Sequence, residues 1–260
     1  MDPSTAADEI QLRTSGLVKT FGQFTAVDEV SLAVRPGEFR SIIGPNGAGK
    51  TTLFHLISGG LPVTAGSVHF EGADITDLPA RERVRRGIGR SFQISNIFGG
   101  LTVRENVRLA AQAAERDGFS ILAEFLRPTQ RFEAINDRTQ SVLERVDLAG
   151  MADTEAASLA HGDKRRLEIG VVLAADPSLV MLDEPTAGMS LEETQRTIEL
   201  LEDVLADRTL LLIEHDMELV MGLSDRITVL HRGQVIADGT PEEVADDPVV
   251  QEAYLGGVIE

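Results

Sequence analysis

The strand Phe39-Arg40-Ser41-Ile42-Ile43 runs directly into Gly44-Pro45-Asn46-Gly47-Ala48-Gly49-Lys50-Thr51-Thr52, and this junction decides the fold. The first five residues read as a short buried strand, and Thr51 to Ser58 spaces its apolar residues at a helical period. A glycine-rich turn between strand and helix that ends in Gly-Lys-Thr has the chemistry of a phosphate cradle. Its glycines let successive backbone N–H groups turn toward one anion, and the helix N-terminus adds partial positive charge. Lys50 supplies a point charge for the β and γ phosphates, and the Thr51 hydroxyl is a hard oxygen ligand suited to Mg²⁺. A strand, loop and helix of this kind belongs to an α/β fold with a parallel sheet.

A second strand end supports the same chemistry. Leu179-Val180-Met181-Leu182 is followed by Asp183-Glu184, as expected where a buried strand opens onto a nucleotide. Asp183 is placed to hold the Mg²⁺ shell, and Glu184 to orient the attacking water. Around these landmarks, Leu12 to Val34 alternates like antiparallel strands with a turn, and Ser67 to Phe70 is a further strand. Residues from about Glu105 to Ala157 have helical composition, with breaks near Asp117-Gly118 and Pro128. From Lys164 the pattern runs helix to Ala175, strand to Leu182, helix from Ser190 to about Leu205 and strand Thr209 to Ile213. Ile227 to Ile236 reads as a hairpin turning at Arg232-Gly233.

Composition narrows the partners. Forty-two acidic against 24 basic residues give the 260-residue chain a net charge of −18, which disfavours nucleic acid or an anionic lipid surface as main partner. The chain has no Cys, so disulfides and thiolate metal sites are excluded, and its five His lack metal-ligand spacing. No apolar run is long enough to span a bilayer, and Met1-Asp2-Pro3-Ser4 does not open a signal peptide. A cytoplasmic chain without a covalent membrane anchor is expected. Only Lys19, Lys50 and Lys164 are lysines. So acidic and lysine-poor a surface resembles that of halophile proteins, the alternative being a merely acidic one.

With both phosphate-site motifs in hand, the chain resembles the nucleotide-binding subunits of ABC transporters over nearly all its length. The resemblance implies a P-loop ABC ATPase domain, α/β in class, with a parallel-sheet core, an antiparallel β subdomain and a helical subdomain. On that pattern the β core occupies about 10–93 and 164–240, the helical insertion about 94–163, and an acidic C-terminal tail 241–260. ATP and Mg²⁺ are the implied ligands. Gln93, in Arg90-Ser91-Phe92-Gln93, matches the glutamine that bridges Mg²⁺ and the membrane partner. Phe21, before Gly22, matches the aromatic that stacks on adenine, and His215, in Glu214-His215-Asp216, the histidine that contacts the γ-phosphate.

The signature departs from the usual LSGGQ. Leu159-Ala160-His161-Gly162-Asp163 lacks the serine hydroxyl and carries an acid in place of the amide, which leaves backbone N–H groups near Gly162 to face an anion. Ala187-Gly188-Met189-Ser190 replaces a segment that ends in Asp in the family, and Ser190 with Glu193 makes a capping box. The continuation Lys164-Arg165-Arg166-Leu167-Glu168, the string Ile213-Glu214-His215-Asp216-Met217 and the ending Ala253-Tyr254-Leu255-Gly256 resemble ATP-binding subunits of branched-chain amino-acid importers, with urea and amide importers close. The resemblance implies transmembrane permease subunits and a second ATP-binding subunit as partners, at the inner face of the membrane. The rival class is an ABC ATPase that works on nucleic acid or ribosomes, and it would want a basic face or a second cassette. Two segments are open to two readings. Arg81, Arg83, Arg85, Arg86 and Arg90 form a solvated helix face or touch a partner, and Ile94, Ile97, Phe98 and Leu101 receive a membrane subunit or form local core.

Overall fold

The computed structural model describes residues 10–90, 97–114 and 128–255. Along the chain come β1 (Leu12–Phe21), β2 (Phe24–Val34), β3 (Phe39–Ile43), α1 (Lys50–Ser58), β4 (Ala65–Phe70), β5 (Ala73–Asp74), α2 (Ala80–Arg85) and β6 (Ile88–Arg90). There follow α3 (Val103–Ala114), α4 (Pro128–Arg145), α5 (His161–Ala174), β7 (Leu179–Asp183) and α6 (Leu191–Leu205). The chain continues through β8 (Thr209–Ile213), α7 (Met217–Leu223), β9 (Arg226–His231), β10 (Gln234–Gly239), α8 (Pro241–Ala245) and α9 (Pro248–Leu255). Two compact units divide these elements, one from Met1–Arg83, Leu179–Glu184 and Asp207–Glu260, the other from Val84–Ser178 and Pro185–Ala206. Helices α5 and α6 fall in the second of these units, whereas the resemblance places 164–240 with the β core.

The first unit contains two sheets. An antiparallel sheet has the order β2-β1-β4-β5, and a second sheet runs β10-β9-β3-β8-β7 within the unit, parallel except for β10. Strands β7 and β8 are buried at every position, which is why Leu179 to Leu182 and Leu210 to Ile213 are uninterrupted apolar runs. Strand β3 lies between β9 and β8, so the chain leaves the sheet centre at Ile43 and enters the phosphate cradle from a fixed point.

The C-terminal residues are packed. Val244 of α8 and Val250 of α9 join Ile43, Val220, Ile227 and Val229 in one buried cluster, so 241–255 is an acidic surface on two docked helices instead of a tail. Thr240 and Glu243 form a capping box, with Pro241 in the first turn, a start signal as clear as the one at Ser190.

The arginine cluster is divided by burial. Arg81, Arg85 and Arg86 are exposed, but Arg83 is 1% exposed and Arg90 is buried. Arg83 donates to the carbonyls of Leu56 and Ile57, each at 2.6 Å, and to Leu78 at 3.0 Å and Thr76 at 2.8 Å. A guanidinium with several fixed donors can satisfy the orphan carbonyls at the end of α1, which Gly59 in left-handed conformation also caps. Neither the solvated face nor the partner contact therefore describes Arg83.

In the helical unit, α5 packs against α3 and α4. Gly170 allows this approach: a Cβ there would lie 3.3 Å from Val146. Pro128, read from sequence as a break, opens α4, where its missing N–H costs nothing.

Candidate nucleotide-binding site

The glycines of the cradle are demanded by contact as well as by rotation. Gly44 has φ 147°, and a Cβ there would fall 2.1 Å from the Leu230 carbonyl; Gly49 has φ 101°, and its Cβ would fall 2.4 Å from the Ala26 carbonyl. Pro45, Asn46, Gly47 and Ala48 complete the turn, and Thr51 and Thr52 lie in the first turn of α1. Lys50 is 6% exposed and donates to the Gly44 carbonyl at 2.6 Å and the Pro45 carbonyl at 3.2 Å. Burial pulls the Lys50 ammonium below its usual range, while the charges of Glu184 and Asp183 oppose that shift.

The β9–β10 turn braces the cradle. Arg232 and Gly233 both have positive φ, the condition for a two-residue turn of the twisted hairpin type. Gly233 N–H donates to the Ala48 carbonyl at 3.0 Å, and its own carbonyl accepts from Asp28 N–H at 2.9 Å. The sequence marked this hairpin without indicating that its turn would fix the phosphate loop.

Strand β7 brings the carboxylates to the same unit. Asp183 is fully buried at the strand end, its two carboxylate oxygens out of contact with solvent. Glu184 takes φ 49°, a left-handed conformation that costs a non-glycine residue roughly 1 kcal/mol or more. Its N–H donates to the Ile213 carbonyl at 2.8 Å, so the ladder to β8 holds the turn. The side chain meets His215, with Glu184 Oε1 2.6 Å from His215 Nε2. Glu184 is a quarter exposed and His215 46% exposed, leaving an acid and an imidazole in contact at the surface beside a buried acid.

Among the described residues no group of three or more His, Asp or Glu side chains could hold a metal by itself. A hydroxyl on Thr51 and the carboxylate of Asp183 nevertheless suit Mg²⁺, which keeps waters and substrate phosphates in its shell and needs few protein ligands. Phe21 ends β1, paired with Phe24 across the turn Gly22-Gln23, and is 48% exposed. Gln93 and Ile94 lie outside the described residues, while Phe98 is 61% exposed.

The signature lies in the helical unit. Helix α5 starts at His161, three residues before the start read from sequence, with Ala160 as an N-cap that offers no side-chain bond. Gly162 and Asp163 therefore sit in the first turn, where backbone N–H groups have no partner within the helix. Asp163 accepts a hydrogen bond from Arg166, which also donates to Asp147 at 2.8 Å, so the acid that replaces the family amide is paired within the chain. The capping box at α6 is present: Glu193 N–H donates to Ser190 Oγ at 3.3 Å, and Ser190 N–H donates to Glu193 Oε2 at 2.9 Å. A Cβ at Gly162 would lie 3.3 Å from Glu193 Oε1, which sets the signature against the start of α6.

A Gly-Lys-Thr cradle, a buried Asp, a surface Glu–His pair and a parallel sheet together define a P-loop nucleotide-binding cassette. The ABC transporter family model matches residues 27–187, and a second, for branched-chain amino acid ATP-binding cassette transporters, matches 234–260. The high-affinity branched-chain amino acid transport ATP-binding protein LivG of Salmonella typhimurium is 42% identical over 248 residues, covering 94% of this chain and 97% of LivG. BraF of Pseudomonas aeruginosa, described in the same words, is 40% identical with the same coverage. The ADP conformation of MJ1267, an ATP-binding cassette of an ABC transporter, superposes with a TM-score of 0.82 at 34% identity, covering 95% of this chain and 99% of that one. The chain belongs to the ABC transporter family, as an ATP-binding subunit with ATPase function. No helix among the described residues is long and apolar enough to cross a membrane.

Proposed function

We propose that this chain hydrolyses ATP for an importer of branched-chain amino acids, working at the cytoplasmic face of the membrane on transmembrane permease subunits. The contact between Glu184 and His215 at 2.6 Å carries the hydrolytic reading, because it puts a carboxylate and an imidazole together in the same compact unit as the phosphate cradle. The solute follows from similarity to LivG and BraF and from the match over 234–260.

In this reading Lys50 and the loop N–H groups neutralise the β and γ phosphates, and Phe21 stacks on adenine. Thr51, Asp183 and Gln93 would hold Mg²⁺, which supplies charge neutralisation at the transferring phosphoryl group. Glu184 orients the attacking water and takes up its proton, and His215 contacts the γ-phosphate. Two ATP-binding subunits close head to tail, and Ala160, His161, Gly162 and Asp163 face the partner's nucleotide through the first turn of α5. The second subunit is a copy of this chain or a sister subunit, and either arrangement uses the same surfaces.

The test is reconstitution in vesicles with the permeases encoded beside it and ATP inside. Uptake of labelled leucine, absent with ADP, is expected. ATP-dependent uptake of urea with none of leucine would overturn the solute, and hydrolysis indifferent to permeases would overturn the transporter role.

A further inference from the structure

Lysine is scarce in this chain, and Lys19 occupies an inward-facing position of β1 that ordinary patterning would fill with an apolar residue. Lys19 lies two residues after the fully buried Leu17 and two before the half-exposed Phe21, in a stretch where the pairing of β1 with β2 is interrupted by register shifts. It is 9% exposed. Its ammonium lies 5.1 Å from the centre of the Phe21 ring, within cation–π range, and donates to the Pro62 carbonyl at 2.7 Å.

Pro62 is itself tied to the helix of the phosphate cradle. Gly60 N–H donates to the His55 carbonyl at 2.8 Å and Leu61 N–H to the same carbonyl at 3.1 Å, so the segment leaving α1 is fixed to that helix's last turn. Thr64 N–H donates to the Val18 carbonyl at 2.9 Å, closing the connection on the other side of Lys19. A chain of contacts therefore runs from α1, through Pro62 and Lys19, to the Phe21 ring. All of these residues lie in one compact unit.

We infer that Lys19 is a positioning residue for the nucleotide base: it fixes the Phe21 ring relative to the phosphate cradle and places a positive charge against the ring. This rests on the reading of Phe21 as the base platform. A half-exposed Phe at a strand end has rotamer freedom that base stacking must freeze, and an ammonium bonded to a fixed carbonyl removes part of that freedom beforehand. The charge also withdraws density from the ring, which favours stacking of an electron-rich purine. A methionine at position 19 could fill the space, but it would supply neither the charge nor the bond to Pro62.

The experiment compares Lys19→Met, Lys19→Arg and Phe21→Leu, with ATP and inorganic tripolyphosphate as probes in binding titrations and steady-state hydrolysis as the second readout. Lys19→Met is expected to weaken ATP binding about five-fold and raise the KM for ATP by a similar factor, with kcat and tripolyphosphate affinity unchanged. Lys19→Arg should restore most of the ATP affinity, since it keeps the charge and a donor. In the Phe21→Leu background, Lys19→Met should have no further effect on ATP. Equal weakening of ATP and tripolyphosphate would overturn the inference, because the damage would then have passed through the cradle. If Phe21→Leu weakens ATP while Lys19→Met does not, the inference fails and the Phe21 platform stands. If Phe21→Leu leaves ATP binding intact, the platform itself fails.

Discussion

Substituting Gly162 by Asp puts a second carboxylate against one already in use. The new Cβ would lie 3.3 Å from Glu193 Oε1 and 3.8 Å from Glu193 Cδ, so the added carboxylate would stand roughly 4 Å from the Glu193 carboxylate. Two unit charges at that separation repel by about 1 kcal/mol in water and about 4 kcal/mol at an effective dielectric near 20. The Glu193 carboxylate reaches solvent, so the repulsion stays toward the lower limit and is screened by salt. Glu193 can escape only by giving up its bonds from Ser190 N–H and Oγ, the side-chain half of the capping box, while the Ser190 hydroxyl keeps its bond from Glu193 N–H. The isolated subunit should therefore unfold at a lower urea midpoint than wild type at low salt, with the difference shrinking as salt is added, and Gly162→Asp should also fail to form an ATP-dependent dimer. The control Gly162→Ala should unfold like wild type, because the contact is with the far end of a flexible side chain and alanine favours the helix. Glu193→Gln combined with Gly162→Asp should recover most of the lost stability. Recovery of dimerisation as well would assign the whole defect to the chain's own helix junction. A Gly162→Asp subunit that unfolds like wild type in dilute buffer would refute the proximity of Gly162 and Glu193 as the cause.

Glu184→Gln should retain ATP binding, since Lys50 and the loop are untouched, while turnover falls by about 100-fold or more; wild-type hydrolysis would remove Glu184 from the water's path. Ala160→Ser should stabilise the subunit by roughly 0.5–2 kcal/mol in urea unfolding, because Ala160 already has N-cap backbone geometry (φ −62°, ψ 163°) and lacks only the accepting oxygen. Glu193 and Glu105 are held below the usual carboxylate range chiefly by backbone N–H donors, of Ser190 and Thr102, and Asp74 chiefly by the Thr76 hydroxyl. Their stabilisation is therefore complete above the ordinary carboxylate range and lost as pH falls below about 4, so Glu193→Gln should flatten the acid limb of the unfolding profile. The net charge of −18 predicts a melting temperature that rises with KCl, as the Debye length shrinks from roughly 30 Å at 0.01 M to roughly 3 Å at 1 M; a flat or falling curve would end the halophile reading.

Elements whose cause is local were legible in the sequence. Strand β3 with its loop, the run into Asp183, the Ser190 capping box and the Arg232-Gly233 hairpin each carry their signal within a few residues. Arg83 was not legible, because what buries it is the end of α1, 26 and 27 residues away in sequence at Ile57 and Leu56. The helical start at His161 was missed because its cap is an alanine, which carries no start signal. Docking of 241–255 was hidden by acids on the outer face, although Val244 and Val250 were present to mark the inner one. Lys19 had one available signal, a charged side chain at an inward position of an alternating strand.

The cradle shows why a motif can be certain in sequence while its support is invisible. Gly44 and Gly49 are read locally as freedom for N–H groups to converge, yet each also faces a backbone carbonyl, of Leu230 and Ala26, closer than any Cβ tolerates. The same two glycines thus serve the anion on one side and the hairpin and β2 on the other. Gly233 closes the arrangement by bonding both Ala48 and Asp28. A loop whose N–H groups must aim at one point without reorganising needs that outside bracing, since glycine's freedom would otherwise let the loop relax away from the anion. The glycines that permit the cradle make it soft, and the β9–β10 turn, about 180 residues further along the chain, makes it stiff.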